Sequence, residues 1–268
     1  MFMITGKNIV ITGCNSGIGL EVLKLLVKGN NKILGVDKNI DVLLKFDPEK
    51  VTAFQMDIST EEGVDAVFAK AEELFPVIDI FYANAGFPYY EEMNYVDWDR
   101  TKAIFDTNVL SPIYSYEKYI RHLDGRKGIL AITVSAIGEM AMPGYTLYSA
   151  SKFAMNGFQQ GVRLEMPENL QLTCLYPVAT DTNFFPVSAP IQYKKPFPVQ
   201  DPVTVAKKMV EGIETGKEKV SPCPLFGLSK LLMGVCPPVR TVYWALEKRK
   251  FAEYKENIKN GTGKKWNE

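Results

Sequence analysis

Short β-branched runs alternate with helical patterns along the first two thirds of the chain. Residues 8–12 form the first such run, and the apolar residues behind it recur at helical spacing until Gly29 ends the pattern. Ser59 and Glu62 have the spacing of a capping box. Strand alternating with helix predicts an α/β fold, a doubly wound parallel sheet with helices on both faces. The further strands are predicted at 32–36, 51–56, 78–83, 129–134 and 170–175, and the further helices at 59–74, 97–122, 149–165 and 203–215.

Length and composition indicate one globular domain. The chain has 268 residues, of which 46% are apolar and 23% charged, so we assign residues 1–268 to a single domain. Lys plus Arg and Asp plus Glu are both 31, and a chain without net positive charge is a poor partner for nucleic acid. The four cysteines form no CxxC pair, which favours reduced thiols in a cytoplasmic protein over a zinc site.

The character of the sequence changes after Pro177. A proline-rich aromatic stretch precedes an apolar one, and we assign residues 183–250 to a substrate lid and a C-terminal helical segment. The apolar stretch from Leu225 to Cys236 contains Lys230 and is too short to span a membrane. Burial in the core or in a subunit contact is the favoured interpretation of this stretch, and contact with a membrane surface is the alternative. The N-terminus shows no targeting signal.

A glycine-rich turn follows the first predicted strand and begins the first helix. Backbone amides and the positive end of a helix can hold a pyrophosphate at such a turn, and glycines let the phosphates approach the backbone. The turn therefore predicts a bound dinucleotide. Its expected contacts are Gly13, Asn15, Ser16, Gly17, Ile18 and Gly19.

Asp37 is predicted to select the dinucleotide. It ends the second strand, where a carboxylate can accept hydrogen bonds from the ribose hydroxyls of the adenosine. A 2′-phosphate at that position would meet like charge, so NAD is favoured over NADP. The neighbouring Lys38, which could offset that repulsion, is the feature that favours NADP.

Further motifs follow the turn in a fixed order. They are Asp57 after the third strand, Asn84-Ala85-Gly86 after the fourth, Asn108 in the long helix, Ser135 after the fifth strand, and Tyr148-Ser-Ala-Ser-Lys152. With the TGxxxGxG spacing of the turn, the chain resembles the short-chain dehydrogenase/reductase family over residues 8–182. The resemblance implies a Rossmann-type fold, a nicotinamide cofactor, oxidoreductase activity and a homodimer or homotetramer.

The resemblance also implies the rest of the cofactor site. Asp57 and the adjacent Ile58 would lie at the adenine, Asn84-Ala85-Gly86 would line the cofactor cleft, and Thr182 would touch the nicotinamide amide. Pro177, Val178 and Thr180 belong to the same segment as Thr182. Two positions depart from the family pattern, Ala83 where a second asparagine is usual and Val178 where glycine is usual. A β-branched residue disfavours a positive φ, so we expect a different backbone path at Val178.

The expected chemistry follows from what a secondary alcohol needs in order to lose hydride. A base must take the hydroxyl proton while the nicotinamide accepts the hydride. Tyr148 is the expected acid/base, and Lys152, one helical turn away, is expected to lower the phenol pKa from its usual value of about 10. By resemblance, Lys152 also binds the nicotinamide ribose, Ser135 holds the substrate oxygen, and Asn108 positions a water that relays protons.

Apolar residues surround the expected substrate position and favour an apolar ketone or secondary alcohol. They are Ile137, Met140, Met142, Pro143, Tyr145, Phe184 and Phe185. Lys194 and Lys195 are the cations that would instead hold a charged substrate. Two other functions stay open: an epimerase or dehydratase that uses NAD transiently, and a non-catalytic NAD-binding sensor or scaffold. The single histidine, His122, at a predicted helix end, is assigned no catalytic or metal-binding role.

Overall fold

A parallel sheet of seven strands forms the centre of the computed structural model, which describes residues 4–266. The first six strands are the predicted ones, each end within two residues of its prediction, and the predicted fold class is confirmed. The order across the sheet is β3-β2-β1-β4-β5-β6-β9. Strand β9 is not predicted from the sequence, because two residues carry no pattern. The strands of this sheet are β1 (Asn8–Thr12), β2 (Lys32–Asp37), β3 (Val51–Gln55), β4 (Ile80–Ala83), β5 (Gly128–Thr133), β6 (Leu170–Leu175) and β9 (Lys219–Val220).

Helices cover both faces of the sheet because alternate strand residues point to opposite sides. Ile9 and Ile11 belong to one buried core and Val10 to the other. On the first face pack α1 (Gly17–Leu26) and α7 (Pro202–Glu214), and on the second α2 (Glu61–Leu74), α4 (Ser111–Leu123) and α5 (Thr146–Glu165). The strand order reverses between β1 and β4, which places a ligand crevice at the carboxyl ends of these two strands.

Two predicted helix starts are wrong. Helix α2 begins at Glu61, because the N–H of Gly63 donates to Thr60 Oγ1 at 3.0 Å and makes Thr60 the N-cap. The neighbouring Ser59 instead donates its N–H to Asp57. Helix α5 begins at Thr146, three residues before its predicted start, so Tyr148 lies in its first turn.

The long helix predicted at 97–122 contains a π-helical turn. Helix α3 (Trp98–Phe105) starts at the N-cap Asp97, and the π turn Asp106–Leu110 joins it to α4. Such turns hold an extra residue and change which side chains face inward. Here Thr107 and Asn108 are buried.

The segment after β6 contains short strands and three more helices. The leucines of α8 do not lie in the core: Leu228 and Leu231 are 56% and 65% exposed, because the helix packs inward through Phe226. This corrects one part of the favoured expectation, and the other part, a subunit contact, stays a prediction. No helix within residues 4–266 has the length and apolar character needed to cross a membrane. The elements are β7 (Ala179–Thr180), α6 (Phe184–Ser188), β8 (Val199–Gln200), α8 (Pro224–Val235) and α9 (Pro237–Asn260).

Candidate active site

A cavity of about 560 Å³ opens at the carboxyl ends of the sheet strands, where the strand order reverses. Its walls come from the glycine turn after β1, the loop after β4, the end of β5, the start of α5 and residues 177–198. Phe226 of α8 and Tyr243 of α9 complete it. The cavity therefore joins the predicted cofactor residues to the C-terminal segment.

The glycine turn has the shape that a dinucleotide phosphate requires. Gly13 and Gly17 have φ values of +65° and +57°, and a Cβ on Gly13 would lie 2.6 Å from the Cα of Ala85. Within the described chain, the Ser16 side chain makes no capping hydrogen bond to α1. Backbone amides at the start of α1 thus remain for an anion, and Gly13, Ser16, Gly17 and Ile18 all line the cavity.

Asp37 lies at the edge of the cavity with its carboxylate oriented by the backbone. Asn15 and Asn39 donate their N–H groups to it at 3.0 and 3.3 Å. The Lys38 amine lies 3.0 Å from a carboxylate oxygen of Asp57. The cation that would attract a 2′-phosphate is therefore paired with another carboxylate.

Three predicted cofactor contacts lie outside the cavity wall. The Asn15 side chain accepts the N–H groups of Val42 and Leu43 at 2.9 and 3.2 Å, so it supports the chain after β2 instead. Gly19 lies behind the turn, where a Cβ would be 2.3 Å from the Gly13 carbonyl oxygen. Asp57 is half-exposed and reaches the site through Lys38.

The loop after β4 connects three strand ends beside the glycine turn. The Asn84 side-chain amide donates to the Gly13 carbonyl at 2.8 Å, and its oxygen accepts from Thr133 Oγ1 at 3.0 Å. Thr12 Oγ1 accepts the N–H groups of Asn84 and Ala85. Thr12 and Thr133 were not predicted as site residues, because an isolated threonine at a strand end carries no distinguishing signal.

The remaining predicted cofactor residues lie in the same wall. Ile58 is found there beside Asp37 and Lys38, and Ala85 and Gly86 beside Asn84. From the segment after β6, the cavity is lined by Pro177, Val178, Thr180 and Thr182. Val178 keeps an ordinary negative φ, as its β-branched side chain requires.

Ser135, Tyr148 and Lys152 come together on one wall of the cavity. Tyr148 and Lys152 are 7% and 3% exposed, and the Ser135 hydroxyl donates to the Pro177 carbonyl at 3.4 Å. The backbone of Ser135 has φ 125° and ψ 148°, a region that favours glycine. The Ser135 hydroxyl also accepts the N–H of Ile137 at 3.3 Å, so backbone groups on two segments orient it.

Burial controls the proton affinities of this group. It raises the pKa of Tyr148 above its ordinary value, with the Ser135 hydroxyl opposing the rise, and it lowers the pKa of Lys152 to about 8. We expected Lys152 to lower the pKa of Tyr148. In the chain without a cofactor, the Ser135 hydroxyl and not the Lys152 amine opposes the effect of burial on that pKa. The Lys152 amine donates to the Thr133 carbonyl at 3.0 Å and lies 5.7 Å from the centre of the Tyr148 ring.

Asn108 lies behind this wall rather than in it. Its side chain accepts the N–H of Phe87 at 3.0 Å and donates to the Phe87 carbonyl at 2.9 Å and to Ser151 Oγ at 3.1 Å. A Cβ on Gly86 would lie 3.0 Å from its oxygen and 3.5 Å from the Lys152 amine. Asn108 therefore joins the π turn, the loop after β4 and α5.

The substrate end of the cavity is apolar. Lys195 pairs with Asp181, and Lys194 with Glu253 at 2.8 Å, so both cations have partners outside the cavity. Within residues 4–266, no cluster of His, Cys, Asp or Glu could hold a metal ion. The predicted lining residues found there are Ile137, Met140, Met142, Tyr145, Phe184 and Phe185, without Pro143, and the unpredicted ones include Val187, Phe197, Phe226 and Tyr243.

His122 is remote from this cavity. Its Nε2 accepts the N–H of Ile78 at 3.0 Å, and its Nδ1 lies 3.0 Å from Glu72. These contacts give it a structural role at the end of α4.

Comparisons with known proteins agree with this geometry. A family model described as short chain dehydrogenase matches residues 7–190. A 3-dehydrosphinganine reductase of Danio rerio is 28% identical over 254 residues, which cover 87% of this chain and 76% of that protein. A 3-ketodihydrosphingosine reductase of Bos taurus is 28% identical over 195 residues, covering 68% of this chain and 59% of that protein.

Solved structures share the fold. A short chain dehydrogenase/reductase from Burkholderia phymatum in complex with NAD has a TM-score of 0.77 at 18% identity, covering 90% of this chain and 97% of that one. A short chain dehydrogenase from Burkholderia cenocepacia in complex with NADP has a TM-score of 0.76 at 19% identity, covering 90% and 98%. Proteins of this fold therefore carry either dinucleotide.

Proposed function

This chain belongs to the short-chain dehydrogenase/reductase family of nicotinamide-dependent oxidoreductases, and from that premise we propose that it interconverts an apolar ketone and its secondary alcohol. One observation carries the proposal. Ser135, Tyr148 and Lys152 share a wall of the cavity that begins at the glycine turn and ends among apolar side chains.

In the proposed mechanism, each of these residues has its own role. The bound nicotinamide supplies or accepts the hydride. Tyr148 Oη gives its proton to the carbonyl oxygen in reduction and takes it from the alcohol in oxidation, while Ser135 Oγ donates a hydrogen bond to the same oxygen. Lys152 holds the ribose hydroxyls of the cofactor with its buried amine. Asn108 is a positioning residue that keeps the loop after β4 against α5.

A Tyr148→Phe variant tests this mechanism. Loss of the phenolic proton donor should lower kcat by roughly 10³-fold and leave NADH binding unchanged, because proton transfer by a positioned side chain contributes about 10²- to 10⁴-fold. Tyr176→Phe is the matched control, since the Tyr176 phenol is also buried, donates to Asn156 Oδ1 at 2.8 Å and lies outside the cavity wall. Turnover that survives Tyr148→Phe would contradict the mechanism.

The apolar cavity lining supports an apolar substrate. The names of two relatives, a 3-dehydrosphinganine reductase and a 3-ketodihydrosphingosine reductase, support reduction of a ketone as the direction to assay first. A screen of apolar ketones with NADH and NADPH would identify the class. Binding of NADH without turnover of any ketone or alcohol would instead favour a sensor or scaffold, and NAD-dependent isomerisation or dehydration an epimerase or dehydratase.

We propose NAD as the preferred cofactor because Asp37 faces the cavity and Lys38 is paired with Asp57. Fluorescence titration should show tighter binding of NADH than of NADPH. Asp37→Ala should weaken NADH binding by about ten-fold, since a hydrogen bond to a charged group contributes about 1.5–3 kcal/mol. Unchanged NADH affinity in this variant would show that Asp37 does not hold the ribose.

We also propose a homodimer through α4 and α5, in the cytoplasm. Exposed apolar residues at this surface, Leu110, Phe153 and Leu164, support the dimer. Sedimentation of wild type and a Phe153→Glu variant would test it.

Four free cysteines, three of them buried, support a reducing compartment.

A further inference from the structure

The outer side of α8 and the first half of α9 is an extended apolar surface, which we call the C-terminal apolar face. Its side chains are between 38% and 79% exposed. Helical spacing aligns most of them in two stripes, one on each helix. The face consists of Leu225, Leu228, Leu231, Leu232, Val235, Val239, Val242 and Leu246.

The same two helices form part of the cavity wall. Phe226 of α8 is buried beside Ala136 and contributes to the wall, as does Tyr243 of α9. The Tyr243 hydroxyl donates to the carbonyl of Phe197, another lining residue, at 3.2 Å. The C-terminal apolar face thus lies on the reverse side of the helices that border the cavity.

Cations outnumber carboxylates around the face. Residues 219–246 contain Lys219, Lys230 and Arg240 and no Asp or Glu. Lys219 and Lys230 both contact Glu139, so two cations share one carboxylate there. The Arg240 guanidinium lies 5.0 Å from the centre of the Trp244 ring. Exposed leucines beside basic residues are typical of helices that lie at a membrane surface.

We propose that the C-terminal apolar face docks on a bilayer that contains anionic lipids. The charge pattern favours this occupant over a second copy of the chain. In a two-fold pair the same patch meets itself, so the cations of one copy would oppose those of the other. An anionic bilayer offers opposite charge to the cations and an apolar interior to the leucines and valines. The docked chain would receive an apolar substrate from the bilayer beside the cavity.

Flotation of the full chain with lipid vesicles tests the proposal without any turnover, so its outcome is separate from that of the proposed reaction. The wild type should float with phosphatidylcholine vesicles that contain phosphatidylserine, and less with phosphatidylcholine alone. Leu231→Glu combined with Val235→Glu should lower binding at least about ten-fold, because two charges replace inserted apolar side chains. Arg240→Gln should weaken binding about five-fold, and only to the anionic vesicles.

Leu44→Glu is the matched control, because Leu44 is 67% exposed, close to the 65% of Leu231, and lies outside the face. It should float like wild type, and all variants should keep the wild-type circular dichroism and NADH affinity. A wild type that floats with neither vesicle overturns the proposal. A double variant that floats normally also overturns it. A third contrary result would be a wild-type protein that forms a dimer and binds no vesicles, with the dimer lost in the double variant.

Discussion

Residues 4–182 and residues 183–266 border the same cavity but are held together in different ways. In the first region, strand residues such as Ile9, Val10 and Ile11 are fully buried between helices on two faces. In the second, α8 contributes Phe226 to the interior and exposes its leucines. The sheet thus fixes the position of the cofactor residues. The second region adds the edge strand β9 and the covering helix α7, and it shapes the substrate end.

Aromatic side chains attach the second region to the first. Tyr193 stacks on Tyr90 with ring centres 3.9 Å apart, and the Tyr254 hydroxyl of α9 donates to the Tyr90 carbonyl at 3.1 Å. Trp244 of α9 donates its indole N–H to the Ala141 carbonyl at 3.0 Å. Contacts between residues so distant in sequence leave no local pattern, and the two regions should therefore respond differently to substitution.

The largest effect is expected from ending the chain before Leu225. The truncation removes Phe226 and Tyr254 and uncovers Tyr90 and Tyr193, so the unfolding free energy should fall by roughly 8 kcal/mol, at about 2 kcal/mol for each lost or exposed aromatic side chain. Urea unfolding followed by fluorescence would measure it. A truncated chain that stays fully folded and loses only vesicle binding would show that the second region is dispensable for the fold.

The next largest effect on stability is expected from Gly13→Ala, which lies in the first region. The new Cβ would lie 2.6 Å from the Ala85 Cα, and φ is +65°. A left-handed alanine costs about 1–2 kcal/mol and overpacking about 1–3 kcal/mol, so stability should fall by roughly 3 kcal/mol. NADH affinity should fall with it, which titration would detect. Normal stability and affinity would mean that the turn tolerates a side chain.

Lys152→Met should abolish most turnover and yet stabilise the fold. Burial lowers the Lys152 pKa from 10.5 to about 8, which corresponds to about 3 kcal/mol at pH 7. Loss of the hydrogen bond to Thr133 costs the variant about 1 kcal/mol, so its unfolding free energy should exceed that of the wild type by roughly 2 kcal/mol.

The stability difference between the wild type and Lys152→Met should depend on pH. The unfolded chain binds the Lys152 proton more tightly, so wild-type stability rises relative to the variant as pH increases through 8 to 10.5. The advantage of Lys152→Met should therefore shrink over that window in thermal unfolding curves. A constant difference between the two proteins would show that Lys152 is not the titrating group.

The smallest effect is expected from Gly227→Ala in α8. A Cβ there meets nothing within 4 Å, and alanine is a better helix former by about 0.8–1.0 kcal/mol. The variant should be slightly more stable, opposite in sign to Gly13→Ala. Destabilisation in urea would show that α8 packs against a surface at this position.

The alternation of strand and helix was readable because burial on both faces of a parallel sheet leaves continuous apolar runs. Helix starts were harder to predict from the sequence, because Ser59 and Thr60 are both good caps and only the folded backbone selects Thr60. The π turn at Asn108 escaped prediction for a similar reason, since one extra residue barely disturbs helical spacing.

The sequence by itself determined the order of the motifs, the fold and the residue types at the site, because these depend on local periodicity and on chemistry that few side chains supply. Only the tertiary structure decided that the Lys152 amine donates to Thr133, that the Asn15 side chain supports the chain after β2, and that the apolar residues of α8 face outward. Direction and exposure depend on contacts between residues far apart in the chain, and no local pattern records those contacts.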